Sequence, residues 1–406
     1  MNPARIVLRN LRRRPLATAL TSLSVALGVG LFATIGALRD AGERGFHRAA
    51  AICDQVVGAK GSSMELVLNA IYHMGTSPGN VPYSLWTELR STIGVQWAVP
   101  VAVGDSYRGH RIVGVTDELF SRVRLGGSGE EGGPLRFSAG GPFAHSAADF
   151  MALRAHLDEG GAHEEHEAHA ALQKAVIGSE VARSAGLSMG SHFLPAHDVS
   201  GVAGAPEHKE AEAEVVGILE STGTPMDRAI YVPIALYYII SGHQPTEATP
   251  EGGARDPRGL SAIYLRTQPG MYQIRIWRDL NNRLDAQSAR PAEEVRYLFT
   301  LIGGLDRILR GISTLVVIVA LVGVMVALYN TMGARQREFA VLRALGARRS
   351  SLLGLVMGES ALIALVGGLL GLGFSALLLH FGAALLQGRT GVSISVSPDA
   401  GELWLL

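Results

Sequence analysis

Histidine and glutamate are the residues whose types and spacing first suggest chemistry in this sequence. Eight of the 13 histidines fall between residues 145 and 208, and His163, His166 and His169 stand among glutamates. Imidazole and carboxylate groups are suitable ligands for zinc or copper. A hydrolytic zinc helix needs two histidines four residues apart, whereas His163 and His166 are three apart. The tract therefore predicts either a solvated low-complexity loop or a loose metal-binding segment, with zinc as a candidate ion.

Two other motifs suggest catalysis, and the context of each argues against it. Gly186-Leu-Ser-Met-Gly190 has the spacing of a hydrolase nucleophile, but such a serine follows a strand and precedes a helix, and a helix is predicted before Ser188. Gly58–Ser62 lacks the spacing of a phosphate-binding loop, and the sequence contains no other ATP-binding loop. We therefore predict no catalytic residue and no enzyme activity in this chain. Cys53, the single cysteine, is predicted to be a small packing residue.

The composition is that of a membrane protein with a large aqueous domain. Charged residues make up 18% of the 406 residues, 50 residues are glycine, and the mean hydropathy is +0.22. Arginines cluster in residues 1–14 and again in 335–349. From residue 39 to residue 310, 25 Lys and Arg are outnumbered by 32 Asp and Glu, for a net charge of −7. This distribution lacks the basic face that binds nucleic acid and follows the positive-inside rule of membrane proteins.

Three uncharged runs predict transmembrane helices, at 15–38, at 311–334 and within 351–386. As a helix, each of the first two reaches about 36 Å, enough to cross a hydrocarbon core of about 30 Å. The basic segments stay in the cytoplasm, which places the N-terminus inside and the long middle segment outside. The predicted order is a cytoplasmic amphipathic helix on membrane lipids (1–14), span 1 (15–38), an extracytoplasmic domain (39–305, with a histidine-rich loop at about 145–208), a stalk and span 2 (306–334), a cytoplasmic coupling helix (335–350), span 3 (351–386) and an end segment (387–406).

The predicted extracytoplasmic domain has an α+β pattern. Its short apolar runs, bounded by Gly, Pro and Asp, are typical of strands. The predicted strands are Val95–Val103, Arg111–Val115, Glu214–Leu219, Ala229–Val232 and Ser261–Leu265. The predicted helices are Tyr83–Arg90, Phe150–Leu157, Ser179–Ala185 and Pro233–Ile240, followed by a long helix from Pro291 to about Asn330. In the spans, the small-residue pairs Ala26–Gly30, Gly354–Gly358 and Gly367–Gly371 predict close helix packing.

The cytoplasmic helix is short and amphipathic. Phe339, Leu342 and Leu345 share one side, Arg337 points away, and Gly346 suits the position after the last helical turn. Such a helix either lies on lipid or docks into a groove of a partner protein.

This segment resembles the coupling segment of MacB/FtsX-like (LolC/LolE-related) ABC transporter permeases, which have a periplasmic core domain. The similar strings are Arg337-Glu-Phe-Ala-Val-Leu-Arg-Ala-Leu-Gly-Ala347, Glu359 followed by Gly367-Gly368 and Gly371, and Leu8-Arg-Asn-Leu-Arg-Arg-Arg-Pro15 before the first span. Val176–Ala182 and Val215–Leu219 are compatible with the family's core domain. The family has four spans, so residues 387–406 are expected to be either the start of a truncated fourth span or an extracytoplasmic end.

The resemblance implies a multi-pass permease of the bacterial inner membrane with its large domain in the periplasm. It implies a homodimer or pseudo-dimer of permeases, a separate cytoplasmic ABC ATPase subunit that binds ATP and Mg²⁺, and a periplasmic adaptor as a further candidate partner. The implied ATPase-coupling residues are Arg337, Glu338, Phe339, Leu342, Arg343, Leu345 and Gly346. Glu359 is an intramembrane polar residue. It either takes part in a conformational change or is simply solvated at the membrane boundary.

Movement of the outer domain, driven by ATP hydrolysis in the partner, is the function that the resemblance implies, with export or extraction of a substrate as its result. Two alternatives stay open. One is an FtsX-like regulator that transports nothing and acts on an extracytoplasmic partner. The other is a metal-responsive membrane sensor or exporter that uses the histidine-rich region.

Overall fold

The computed structural model of the chain describes residues 12, 15–125, 132–158, 172–196, 212–239, 259–334, 340–341, 343–344, 346 and 348–390. The chain divides into two compact units. One is built on Glu43–Phe299, and we call it the core domain. The other contains the helical residues up to Gly42 and those from Thr300 to Leu385, and we call it the helical unit.

The described residues form the following elements. The α-helices are α1 (Pro15–Ala50), α2 (Ser63–Ala70), α3 (Tyr83–Ser91), α4 (Glu118–Arg122), α5 (Ala147–Asp158), α6 (Ser179–Ala185), α7 (Ile234–Ile239), α8 (Met271–Asn282), α9 (Pro291–Ala334) and α10 (Arg349–Thr390). The strands are β1 (Gln55–Gly58), β2 (Val95–Tyr107), β3 (His110–Val115), β4 (Arg124–Leu125), β5 (Gly133–Pro134), β6 (Phe137–Gly140), β7 (Lys174–Ile177), β8 (His192–Phe193), β9 (Ala213–Leu219), β10 (Ile230–Pro233), β11 (Ala262–Thr267) and β12 (Gln287–Ala289).

A mixed sheet of ten strands organises the core domain, and β4 and β5 pair in a separate two-stranded sheet. The strand order of the large sheet is β12-β1-β11-β2-β3-β10-β7-β9-β6, and β8 pairs with β9. The β3–β10 and β7–β9 pairs are parallel, and the remaining pairs of this sheet are antiparallel. Every residue of β3 is buried, because both faces of the sheet are covered. The predicted α+β class is thereby confirmed for this domain.

Large side chains fill the space between the sheet and its helices. On one face, Trp86 of α3 and Phe150 of α5 are fully buried with their ring centroids 5.5 Å apart. The indole Nε1 of Trp86 donates a hydrogen bond to the carbonyl oxygen of Ala98, at 3.0 Å. On the other face, Leu66 of α2 and Leu119 of α4 are equally buried. Each such side chain stabilises the fold by roughly 1.5–3 kcal/mol.

The predicted strands and helices of this domain are confirmed, with small shifts at their ends. β2 continues beyond the predicted end at Val103, through a register shift that precedes Ser106, and ends at Tyr107. The predicted long helix is confirmed as α9, which starts at Pro291 and comprises 44 residues.

Two helices of the described residues are long and apolar enough to cross a membrane, over Thr18–Ala50 and Leu352–Gly382. The middle predicted span, at 311–334, falls within α9 and remains a prediction. α1 continues past the first charged residue, Arg39, because its last turns are amphipathic: Ala49 and Ala50 are buried in the core domain.

Candidate functional site

Two stripes of mostly small residues, spaced every four positions, face each other between α1 and α10. On α1 the stripe consists of Ser22, Ala26, Gly30 and Thr34. On α10 it consists of Glu359, Ile363, Gly367, Gly371, Ser375 and Leu379, all of them buried. Residues four apart lie on one face of a helix, so each stripe is continuous. We call this contact the helix seam.

The backbones of the seam approach so closely that a side chain would not fit. A Cβ atom built on Gly371 would lie 2.7 Å from the carbonyl oxygen of Ala26, and one on Gly30 would lie 2.9 Å from the carbonyl oxygen of Gly371. A Cβ atom on Gly367 would lie 2.8 Å from Cβ of Val25. The predicted close packing of Ala26–Gly30 and Gly367–Gly371 is therefore confirmed. A Cβ atom on Gly354 would meet nothing within 4 Å, so Gly354 itself is not closely packed against a neighbouring helix.

The two helices of the seam run in the same direction. Gly367 faces Ser22, Gly371 faces Ala26 and Gly30, and further along both helices Thr34 Oγ1 is hydrogen-bonded to Ser375 Oγ at 3.0 Å. Parallel spanning helices require an odd number of membrane crossings between them. The neighbour on the opposite side of α1 belongs to α9, since a Cβ atom built on Gly28 would lie 3.4 Å from Cα of Val317.

The residues expected to couple to an ATPase fall only partly within the described part of the chain. Arg337, Glu338, Phe339, Leu342 and Leu345 lie outside it, and their role remains a prediction. Arg343 is exposed. The Gly346 N–H donates to the carbonyl oxygen of Arg343 at 3.0 Å, with a φ of 92° that favours glycine.

Glu359 is the member of the seam nearest the start of α10, and only 5% of its surface is exposed. An acidic side chain at such a place in a membrane helix costs free energy unless it is partnered, which makes it a candidate for function. Its conformational role remains a prediction.

Aromatic residues join α1 to α9 inside the core domain, a contact that the sequence reasoning missed. The ring of Phe46 stacks on Tyr72 with a centroid distance of 4.8 Å and meets Phe299 edge-on at 5.7 Å. The Tyr72 hydroxyl donates to the carbonyl oxygen of Phe46 at 2.7 Å. We call these three residues the aromatic joint. The sequence gives no local indication of this contact, because Phe46 and Phe299 are separated by the whole domain.

The other candidates for chemistry are not brought together. His163, His166 and His169 lie outside the described residues, so the proposed zinc tract remains a prediction. Among the described residues, no group of three or more His, Cys, Asp or Glu side chains is placed to hold a metal ion. Ser188 follows helix α6 and precedes strand β8, the reverse of the order that a nucleophile needs. Cys53 is buried, and burial raises the pKa of its thiol to about 12.

Two histidines of the core domain are held neutral at physiological pH. Burial lowers the pKa of His145 to about 4. Burial, aided by the guanidinium group of Arg111, lowers the pKa of His73 to about 3. The buried surroundings disfavour the charged imidazolium, so both side chains stay neutral near neutral pH.

The order of the elements defines a class of protein: a long apolar helix, a mixed-sheet domain, and then two more long helices. Two family models match this order, MacB-like periplasmic core domain over residues 18–273 and FtsX-like permease C-terminal over residues 310–403. The first match covers more than half of the chain. The chain belongs to the family of FtsX-like ABC transporter permeases with a MacB-like periplasmic core domain, which confirms the resemblance seen in its sequence.

Characterised proteins share short stretches with this chain. The pyoverdine export ATP-binding/permease protein PvdT of Pseudomonas aeruginosa is 35% identical over 97 residues, which cover 24% of this chain and 14% of PvdT. The macrolide export ATP-binding/permease protein MacB of Nitrobacter winogradskyi is 36% identical over 96 residues, which cover 24% of this chain and 15% of that protein.

Two solved structures are also similar. The extracellular domain of the noncanonic ABC-type transporter YknZ from Gram-positive bacteria covers 58% of this chain and 98% of its own length, with 15% identity and a TM-score of 0.32. The periplasmic region of MacB from Actinobacillus actinomycetemcomitans covers 61% of this chain and 94% of its own length, with 11% identity and a TM-score of 0.32.

Proposed function

We propose that this chain is the transmembrane subunit of an ABC export complex and that it converts ATP hydrolysis in the cytoplasm into movement of its core domain. ATP and Mg²⁺ are bound by a separate ATPase subunit, which contacts residues 337–346. Two copies of the permease, or two related permeases, form the complex, and the core domain lies in the periplasm, where an adaptor is a further partner.

The continuity of α9 is the observation that carries this proposal. This helix begins at Pro291, one residue after the last strand connection of the core domain, and continues to Ala334, immediately before the predicted coupling segment. An unbroken helix is stiff, so a displacement at its cytoplasmic end is transmitted along its axis. The aromatic joint fastens its first turns to the last turns of α1.

The direction of the helix seam supports the same topology. Because α1 and α10 run parallel, the chain between them has to cross the membrane once in the opposite direction if both span it. α9 is long enough for that return crossing after its first turns in the core domain. The predicted coupling segment, between the end of α9 and the start of α10, then lies on the cytoplasmic side.

The direction of transport is inferred from the relatives. PvdT and the Nitrobacter MacB are named as exporters of pyoverdine and of macrolides, and we extend export as a class, without those substrates, to this chain. Regulation of a periplasmic partner without transport uses the same transmission of movement along α9. Only a transport assay distinguishes an exporter from such a regulator.

The test is purification of the full chain from its native membranes, followed by measurement of Mg²⁺-dependent ATP hydrolysis in the eluate. We expect hydrolysis with the wild-type chain and none with Leu342→Asp, which places a charge on the apolar side of the segment. Arg183→Glu, at an exposed position of the core domain, is the control and retains the hydrolase. If the eluates of Leu342→Asp and Arg183→Glu hydrolyse ATP at the same rate, at equal amounts of the chain in the membrane, the proposal is contradicted.

A further inference from the structure

Basic side chains from three segments of the core domain meet at the start of strand β3. His110 and Arg111 are the first two residues of this strand, and Arg228 ends the 3₁₀ turn before the parallel strand β10. Nδ1 of His110 lies 3.2 Å from the carbonyl oxygen of Arg228. Nη2 of Arg111 donates a hydrogen bond of 2.7 Å to the carbonyl oxygen of Gly75, in the segment that follows α2. The three segments are therefore in direct contact.

The imidazole of His73, in the same segment as Gly75, lies near both guanidinium groups. Burial and the positive charges of Arg111 and Arg228 together lower the pKa of His73 to about 3, which requires both charges to lie near its ring. The φ of His73 is 55°, a left-handed conformation that is costly for a residue with a side chain. Strain of this kind is concentrated at ligand-binding and active sites. We call His73, Arg111 and Arg228 the basic cluster.

Two buried nitrogen atoms of the basic cluster have no hydrogen-bond partner among the described residues. They are Nε of Arg111 and Nδ1 of His73. Only 6% of the surface of Arg111 is exposed, and Gly75 accepts a bond from one of its five N–H donors. A buried guanidinium group stays charged, and its burial is costly unless an anion and further acceptors balance it. A bound anion meets both requirements.

The carboxylates beside the cluster are engaged elsewhere. The charge of Glu180 acts on Arg228, but Nη2 of Arg183 binds that carboxylate at 2.5 Å. Asp227, which precedes Arg228, accepts four hydrogen bonds from residues 221–223 of its own loop. In the part of the chain that the structure describes, no carboxylate forms an ion pair with either arginine of the cluster. At neutral pH these two positive charges are therefore unbalanced, since the imidazole of the cluster is neutral.

The basic cluster is open to solvent on the side of the segment after α2. Met74 is 40% exposed, and Gly75 and Thr76 are exposed as well. Arg228 is half-buried, so its side chain also reaches the surface. A ligand can therefore approach the cluster without any opening of the sheet. The low exposure of Arg111 suits a small ligand better than the surface of a protein.

We propose that the basic cluster binds the phosphate group of a small molecule. A phosphate monoester carries roughly two negative charges at neutral pH, which balance the two arginines. Guanidinium groups donate paired hydrogen bonds to phosphate oxygens, and the neutral imidazole of His73 donates one more. Donors from separate segments favour a tetrahedral phosphate over a planar carboxylate, because its oxygens point in several directions. The phosphate is either free or part of a lipid head group.

The test is calorimetric titration of the full chain in detergent, in a chloride buffer of constant ionic strength near neutral pH. The probes are inorganic phosphate, glycerol 3-phosphate as the head group of a lipid without its acyl chains, and succinate as a dicarboxylate comparison. We expect saturable binding of both phosphate probes and weaker binding of succinate. Tighter binding of glycerol 3-phosphate assigns the site to a lipid head group, and equal or tighter binding of inorganic phosphate assigns it to free phosphate.

Three variants locate the binding. Arg228→Gln removes one charge at a half-buried position, and Arg111→Lys keeps the charge but removes the planar fork. Each is expected to weaken binding of phosphate by about tenfold or more. Arg122→Gln removes an exposed arginine of α4, beyond the other end of β3, and is expected to leave the affinity unchanged. Thermal unfolding without phosphate identifies any variant that fails to fold, and Arg228→Gln is the decisive variant if Arg111→Lys does.

Three results overturn the proposal. The first is the absence of binding heat for both phosphate probes at about 10 mM, a concentration that detects even weak sites. The second is wild-type affinity in a folded Arg228→Gln chain. The third is tighter binding of succinate than of either phosphate probe. The experiment contains neither ATP nor an ATPase, so the proposed function stands or fails separately.

Discussion

In the core domain, large side chains fill the space between the sheet and its helices, whereas at the glycines of the helix seam the two backbones approach closely because no side chain separates them. Phe150 and Trp86 have no exposed surface, and Gly30 and Gly371 leave no room for a Cβ atom. In water the burial of apolar surface drives packing, but in lipid that gain is small and close approach of backbones replaces it. The two regions therefore have opposite sensitivities: the first to loss of atoms and the second to their addition.

The largest effect is expected from loss of atoms in the core domain. Phe150→Ala removes a ring that lies within 5.5 Å of the ring centres of Tyr83, Trp86 and Tyr238. The cavity lowers the free energy of unfolding by about 3–5 kcal/mol. Chemical unfolding followed by tryptophan fluorescence measures it, since Trp86 lines the cavity. Met151→Ala, at the exposed neighbouring position, is the control, and equal losses in the two variants refute the account of this core.

The next effect is expected from addition of atoms in the seam. Gly371→Val forces a side chain against the backbone of α1 and destabilises the helical unit by about 1–3 kcal/mol. Gly373→Val carries the same helix penalty on the same helix, but a Cβ atom there meets nothing within 4 Å. Thermal unfolding of both variants in detergent compares them. If Gly373→Val unfolds at the same temperature as Gly371→Val, the seam is not closely packed.

A pH dependence of stability is expected in the core domain. The pKa of His145, about 4 in the folded chain, lies below its ordinary value of 6.5, so only the unfolded state takes up the proton as the pH falls below 6.5. Stability is then lost from pH 6.5 toward pH 5, on the order of 1 kcal/mol per pH unit for each such histidine. Unfolding titrations at several pH values measure the slope. His145→Gln should reduce it, and an unchanged slope would exclude this histidine as a cause.

The smallest effect is expected at the polar contact of the seam. Thr34→Val removes the hydrogen bond to Ser375, together with the bond from Thr34 Oγ1 to the carbonyl oxygen of Gly30 within α1, and keeps the shape of the side chain. The loss expected from the contact with Ser375 is about 0.6 kcal/mol. Ser24→Ala, which removes a bond within α1 to the carbonyl oxygen of Leu20, is the comparison. Stability of the two variants in detergent distinguishes them, and a larger loss in Ser24→Ala would show that the seam does not depend on this contact.

The sequence predicts the core domain well where strands are long and alternate in polarity. Glu214–Leu219 was recognisable because inward and outward residues alternate, and it differs from β9 by one residue. β1 and β12 were not predicted, because they have four and three residues and are completely buried, so no alternation is visible. Their pairing depends on distant partners.

The candidate site was predictable only in part. The small pairs of the seam follow directly from the helical repeat of four. The same repeat includes Gly354, which meets no neighbour, because the repeat does not tell which face of a helix is in contact. The continuation of helix α1 beyond the predicted span was not foreseen, since Arg39 interrupts the uncharged run but not the helix. The aromatic joint has no local signal at all.

The most direct test of the central claim is whether ATP, bound by the ATPase on the cytoplasmic side, causes a movement at the aromatic joint on the opposite side of the membrane. In the Cys53→Ala chain, an environment-sensitive fluorophore on Tyr297→Cys, an exposed position of α9 close to Phe299, reports on the joint in the complex purified with its ATPase. We predict a change of fluorescence on addition of Mg²⁺-ATP that is lost in Arg343→Glu and retained in Arg183→Glu. An active ATPase that leaves the fluorescence unchanged, or a change that persists in Arg343→Glu, contradicts the account.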